Sequence, residues 1–344
     1  MELYLHIGLH KTGSSAIQTF LTRNRLKLFE HGWLYPDIAL HGNAHHFLAA
    51  PYREKSHQPR NWDGRKRLFD LKKLMAKCPR KKVLLSSEFF CGIQNVELLK
   101  NDLQKIGFTS IKIIIYLRRQ DEVLESSYNQ VIKVQNDIHK FRVHFQKMNW
   151  LLFLKKWEEQ FSPENLIVRT YQKQNIVDSF LKIIDLQDIE WQKEQEQVNV
   201  SLDLDLLEVK RLANVAGYPL KPPLLNKINT VFSSYPKEKL LSIEQRNEII
   251  NHFSASNKQV AQNYLQRENL FDEEFSEENY QVFEELKLEK VVLILLRILQ
   301  DSERAGRKRL NNRIKKGNRL LLLCGIVIFL QAVAISYLFI KVGL

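Results

Sequence analysis

The first 28 residues constrain the fold more than any other stretch of the chain. Leu3, Leu5 and Ile7 alternate with Tyr4 and His6, a period of two that predicts a strand stopping at Gly8. From Ser14 the apolar positions Ile17, Phe20, Leu21 and Leu28 recur at helical spacing, with Ser14 or Ser15 suited to cap the start. A strand that runs through a short glycine-containing loop into a helix is the opening unit of a parallel sheet, because parallel strands need a crossover between them. The same grammar returns at residues 83–87, at 111–117, where IKIIIYL is nearly all apolar and reads as a central strand, and at 166–171. The expected fold class is therefore α/β, a parallel sheet flanked by helices.

The rest of the chain fits around that unit. With 344 residues, 44% of them hydrophobic and 26% charged, there is enough chain to bury a large core, which excludes disordered, collagen-like and disulfide-scaffold classes. Cys78, Cys91 and Cys324 are too few and too scattered for a disulfide framework or a zinc knuckle. Residues 31–67, rich in His, Gly, Pro and aromatics, read as a long irregular excursion over the active edge. From Leu202 onward helical patterns take over, with breaks at 217–223 and 233–236, so the C-terminal part is expected to be helical.

The formal charge is +13, and residues 304–319 hold eight Lys/Arg and no acid. Residues 320–340, LLLLCGIVIFLQAVAISYLFI, carry no charge; as a helix they would reach roughly 31 Å, close to the hydrocarbon thickness of a bilayer. The expected division is a catalytic domain over 1–300, a basic juxtamembrane segment over 301–319 and a single C-terminal transmembrane helix over 320–340. The basic run would keep the head cytoplasmic, and the start of the chain lacks the basic and apolar regions of a secretory signal. The localisation expected is thus a single-pass C-terminal membrane anchor. A buried C-terminal helix is the competing reading, disfavoured because core helices are seldom apolar on every face.

The loop between the first strand and helix, Gly8-Leu9-His10-Lys11-Thr12-Gly13-Ser14-Ser15-Ala16, has the chemistry of an anion cradle. Backbone N–H groups at a helix start are unpaired, the helix dipole adds about half a positive charge, and Lys11 adds a full one. Gly13 permits close approach, and Thr12, Ser14 and Ser15 offer hydroxyls. The loop is P-loop-like, but a nucleotide-kinase loop has its Lys directly after the second Gly, whereas Lys11 precedes Gly13.

Lys11-Thr12-Gly13-Ser14-Ser15 at a strand-to-helix junction is similar to the 5′-phosphosulfate loop of the sulfotransferase superfamily. That family also has an Arg ending a central strand and a Ser eight residues later. Arg118 and Ser126 match that spacing, as do Arg119 and Ser127; Arg118 follows the apolar strand directly. The likeness extends to Asn199-Val200-Ser201-Leu202 and to Ser256-Asn257 with Val260, Ala261 and Tyr264, so it spans roughly residues 1–270 and is strongest in the first 135. It implies a sulfuryl transfer from 3′-phosphoadenosine 5′-phosphosulfate to a hydroxyl or amine acceptor, a glycan or glycolipid, with no metal and no nucleic-acid partner. Lys11, Thr12, Gly13, Ser14, Ser15 and Ala16 would hold the 5′ group, and Arg118 with Ser126 the 3′-phosphate. The chain departs from the better-known cytosolic branch at Gln120, where that branch often has Pro, and at Ala16, where it has an aromatic. Its Arg-Lys-Gly loop over the donor has no counterpart here. A degenerate, membrane-anchored nucleotide-binding or scaffold protein is the alternative.

Sulfuryl transfer needs a cation on the leaving phosphate oxygen, for which Lys11 serves, and a base for the acceptor proton. Ser86-Ser87-Glu88 closes the second predicted strand, where the family puts a catalytic Glu or His, and Glu88 is the first choice. His45 and His46 compete, with His41 beside them; the HxxxHH spacing alone does not make a metal site. Arg169 and Tyr171 end a later strand at the same edge.

Overall fold

The computed structural model describes residues 1–54, 64–145, 148–192, 201–271 and 280–314. Among these, β1 (Glu2–His6), β2 (Trp33–Leu34), β3 (Lys82–Ser86), β4 (Ser110–Leu117) and β5 (Leu166–Thr170) form one parallel sheet in the order β2-β3-β1-β4-β5. Helices α1 (Ser14–Arg23) and α2 (Arg25–Glu30) join β1 to β2, and α3 (His46–Ala49) and α4 (Gly64–Lys77) precede β3. Next come α5 (Val96–Lys105) before β4, and α6 (Gln120–Gln135) and α7 (Trp150–Phe161) before β5. The chain continues through α8 (Ile176–Ile183), α9 (Leu204–Val215), α10 (Pro222–Asn229), α11 (Ile243–Val260) and α12 (Leu288–Ile314).

The alternation read in the sequence sorts the strand residues onto two covered faces. Leu3, Leu5 and Ile7 join Val83, Leu85, Ile113 and Ile115 in a core closed by Leu71 of α4, Leu99 and Leu103 of α5 and Leu154 and Trp157 of α7. Tyr4, Leu84, Ile114 and Tyr116 face the other way, onto Ile17, Phe20 and Leu21 of α1 and Phe180 and Leu181 of α8. A strand packed on both sides must be apolar throughout, and for this reason β4 reads as an unbroken apolar run. Truncating a leucine such as Leu5, fully buried at 0% exposure, would cost about 2–5 kcal/mol.

By its internal contacts the chain separates into two compact units. The first, Met1–Gln135, His139–Ser201 and Glu238–Phe283, holds the sheet. Within it α6 is tied to α11 through buried charge: Arg246 pairs with Asp121 and, at 3.1 Å, with Glu125, whose other oxygen accepts from the Leu240 N–H at 2.6 Å. Removing one partner of such a pair costs about 3–5 kcal/mol. The second unit, Asn136–Ile138, Leu202–Lys237 and Glu284–Leu344, is helical where it is described. In it the buried Lys290 ammonium sits 2.8 Å from Asp203 and 2.9 Å from Asp205.

Three expectations are corrected. Among the described residues no helix is long and apolar enough to cross a membrane. α12 is 27 residues long but studded with charge, and residues 301–314 of the expected juxtamembrane segment continue it. Among the described residues the fold class is thereby corrected to an α/β fold with a five-stranded parallel sheet flanked by helices and no transmembrane helix, and the expected membrane localisation is withdrawn with it; the span expected at residues 320–340 lies outside the described residues. Secondly, the excursion over 31–67 is not all irregular, since β2 extends the sheet and α3 and the start of α4 lie within it. Thirdly, neither Ser14 nor Ser15 caps α1; the cap position is Gly13, in the left-handed region at φ 78°, with no side-chain cap.

Candidate active site

The strand order places the site. Connections from β1 leave toward β2 and β3, whereas β4 leads the other way to β5, so the crevice beyond the carboxyl ends of β1 and β4 is the topological switch point, where open α/β sheets bind ligands. The loop after β1 and Arg118 after β4 meet there. The Arg118 guanidinium donates to the Lys11 carbonyl at 3.0 Å and to Glu122 at 2.8 Å, and stands 5.1 Å from the centroid of the Tyr171 ring at the end of β5.

The loop is shaped from within. The buried Thr12 hydroxyl donates to the Leu9 carbonyl at 2.7 Å and accepts from the Leu9 N–H at 3.3 Å, so Thr12 staples the turn rather than offering its side chain outward. Gly13 is required twice over: its φ of 78° disfavours a side chain, and a Cβ would lie 2.9 Å from both Tyr171 and Ile176. The Ala16 N–H is committed to the Gly13 carbonyl at 3.0 Å. Ser15 is exposed. The Ser14 hydroxyl is buried without a hydrogen-bond partner and packs so close to Gly8 that a Cβ there would approach within 2.5 Å. An orphaned hydroxyl at a helix start beside a glycine cradle fits a 5′-phosphosulfate group, which supplies acceptor oxygens.

Lys11 is held at φ 70°, and its ammonium donates to the Gln130 side-chain oxygen of α6 at 3.1 Å. Burial, reinforced by the Arg118 and Lys133 charges, pushes its pKa down to about 8. Glu122, Ser126, Gln130 and Lys133 recur at steps of three and four, one stripe of α6. Ser126 therefore lies between the partner of Arg118 and the partner of Lys11. Ser127 is rotated off that stripe, and Arg119 is occupied by Asp121 at 2.8 Å and Glu122 at 3.4 Å. Of the two arginines, Arg118 is thus the one that contacts the loop, and Ser126 shares its α6 stripe with Gln130.

Across the crevice, after β3, stands Glu88. Its Oε2 accepts from the Gln18 amide of α1 at 2.9 Å and its Oε1 faces His46 Nε2 at 3.8 Å. Burial alone would raise its pKa, but the Gln18 hydrogen bond and the imidazoles of His46 and His10 outweigh it and hold the carboxyl below its usual range. His46 is itself shifted down by burial, against the pull of Glu88. His45, by contrast, is fully buried with both ring nitrogens engaged, Nδ1 accepting from the Ser86 N–H at 3.1 Å and Nε2 facing the Pro36 carbonyl at 2.9 Å. It is a structural histidine, neutral with a pKa lowered to about 4 by burial. His41 is exposed beside His46, their ring centroids 5.9 Å apart, and Arg169 is exposed on β5. Among the described residues no cluster of ligating side chains could hold a metal ion.

Gln18, Gln130 and Lys133 are the site residues that sequence reasoning missed. Their signal was positional: Gln18 follows Ser14 by one turn, and Gln130 and Lys133 follow Ser126 by one and two turns.

No family model matches the chain. An uncharacterized protein of Archaeoglobus fulgidus is 25% identical over 209 residues, 55% of this chain and 55% of that protein, so the match spans about half the length of each. Among solved structures, a sulfotransferase from Alicyclobacillus acidocaldarius is 16% identical, with a TM-score of 0.36 over 62% of this chain and 93% of that one. The function is therefore read from the site's own geometry.

Proposed function

We propose that the chain is a transferase that moves a sulfuryl group from 3′-phosphoadenosine 5′-phosphosulfate to the hydroxyl or amine of an acceptor. The observation that carries the reading is the contact between Arg118 and the Lys11 carbonyl at the switch point, which joins two anion-binding elements whose sequences resemble the two donor-binding segments of sulfotransferases. The N-terminus of α1 and the Ser14 hydroxyl suit the 5′ group, and Arg118 with Ser126 suits a 3′-phosphate, for which a guanidinium fork and a hydroxyl are natural partners. The half-buried Tyr171 ring beside Arg118 supplies a flat apolar surface for adenine where Ala16 lacks one.

Each side chain then has one task. As the acceptor oxygen or nitrogen bonds to sulfur and the bond from sulfur to the bridging oxygen breaks, an electron pair is left on the phosphate oxygen, and Lys11 neutralises it. Glu88, ionised at neutral pH, takes the acceptor proton. Titration calorimetry of the full chain with adenosine 3′,5′-bisphosphate tests the donor site: the reading expects tight binding without metal and no affinity for ATP with magnesium, and the reverse selectivity would discard it. Incubation with radioactive donor then separates an active transferase from a protein that binds and does not turn over.

A further inference from the structure

Ser87, His46 and Glu88 form a hydroxyl–imidazole–carboxylate series at the carboxyl end of β3. The Ser87 oxygen accepts from the Phe89 N–H at 3.1 Å and lies 2.7 Å from His46 Nδ1. With one Ser87 lone pair taken by the Phe89 N–H, donation of the hydroxyl proton to Nδ1 would leave the neutral imidazole with its own proton on Nε2. That nitrogen is the one that faces Glu88 Oε1, at 3.8 Å. The ring cannot swing away, since it is stacked on Phe89 with centroids 4.0 Å apart and planes at 18°, and Phe89 in turn carries the Arg53 guanidinium 4.5 Å from its centroid.

The same three residue types make the triad of serine hydrolases, but here the access is reversed. Ser87 is fully buried at 0% exposure and caps the turn that follows β3, so it is no nucleophile, whereas the Glu88 side chain remains 20% exposed. We infer that Ser87 and His46 are positioning residues for Glu88: Ser87 sets the tautomer, His46 aims its Nε2–H at one carboxylate oxygen, and Gln18 fixes the other. The carboxylate is the working end of the series, and His46 is not the base, because the nitrogen it turns to Glu88 already bears a proton. The inference rests on the sulfuryl-transfer reading for the purpose of the carboxylate, though not for its geometry. Charged and titratable groups around the pair are His10, His41, His45 and Arg53 toward His46, and His6, His10, Tyr35 and Cys91 toward Glu88.

Nuclear magnetic resonance of the full chain, labelled with 15N in histidine and 13C in the glutamate carboxyls, tests this without donor or acceptor. His46 and Glu88 are assigned by the signals lost in His46→Gln and Glu88→Gln. Expected at neutral pH is a neutral His46 ring protonated on Nε2, shifted toward the Nδ1–H form in Ser87→Ala. Glu88→Gln should weaken proton binding by His46 about tenfold. His46→Leu should raise the titration midpoint of Glu88 by at least about 0.5, a threefold change, and His46→Gln, which keeps a donor, should retain most of the wild-type value. An Nδ1–H ring in the wild type, or a His46 titration indifferent to Glu88→Gln, would overturn the proposal. Failure of bisphosphate binding alongside intact coupling would discard the transfer reading and leave the relay standing.

Discussion

The Lys11 ammonium and the Gln130 side-chain oxygen meet at 3.1 Å, which fastens the loop after β1 to the middle of α6. The lysine that would meet the leaving group is thus held by the same helix that presents Ser126, and both ends of a 3′,5′-bisphosphate would be read from one rigid element.

Lys11 stands at φ 70°, a conformation that costs a residue with a Cβ about 1–2 kcal/mol. Lys11→Gly relieves that strain while losing the entropy advantage of a side chain in the unfolded state, so the stability change should stay within about 1 kcal/mol. Donor turnover should nonetheless fall by about 100-fold or more. Thermal melting and radioactive donor consumption on the same preparation check both halves.

The pH behaviour of Lys11 follows from its sign. With a folded pKa of about 8, below the 10.5 of the free side chain, the folded protein releases a proton before the unfolded chain does, so this residue's contribution to stability rises with pH between about 8 and 10.5. An anionic ligand prefers the charged form. Bisphosphate affinity should therefore fall as pH passes about 8, and the fall should vanish in Lys11→Arg, as calorimetry across pH 7 to 10 would reveal.

Arg118→Ala combined with Ser126→Ala should weaken adenosine 3′,5′-bisphosphate by about 10- to 100-fold and adenosine 5′-monophosphate far less. Arg119→Ala, which breaks contacts to Asp121 and Glu122, should lower stability and leave that discrimination unchanged. Equal losses of both ligands in the first variant would remove the 3′-phosphate assignment.

His6 and His45 are buried and neutral, each with a pKa lowered to about 4 by burial. Between pH 6.5 and 4 the unfolded chain takes up protons that the fold refuses, so stability is lost as pH falls through that window, by up to about 1.4 kcal/mol per pH unit for each histidine. Urea midpoints at several pH values should show that slope, and His45→Asn should flatten it while lowering the plateau.

Gly13→Ala should destabilise by about 2 kcal/mol and push Tyr171 off the loop, since the new methyl has backbone strain to bear and two neighbours at 2.9 Å. A near-wild-type melting temperature would mean that the loop has another conformation available.

Much of this was legible before any coordinates. The alternation of Leu3, Leu5 and Ile7 and the apolar run of β4 announce strands because both faces of the sheet are covered, and the Lys11–Gly13 loop falls where it must, between β1 and α1. β2 escaped notice because two residues carry no period. Gly13 rather than a serine caps α1 because the packing of Tyr171 and Ile176, remote in sequence, decides that position. His45 and His46 are neighbours in sequence, yet one is locked to the backbone of β3 and the other faces Glu88, a difference that only the path of the chain through α3 can impose.

Asp121 and Glu125 lie in α6, directly after Arg118, while the arginine that neutralises them comes 125 residues after Asp121. A ribosome would therefore expose these two acids, and the helix that presents Ser126 and Gln130, for the time it takes to add the 125 residues from Asp121 to Arg246. β1 to β5 can pair before α11 exists, but a nascent chain ending short of Arg246 would have to leave Asp121 with Arg119 alone and Glu125 without its arginine, or leave α6 undocked. The donor crevice would thus be the last part of that unit to mature, and C-terminal truncations reaching into α11 would spare strand pairing while abolishing nucleotide binding.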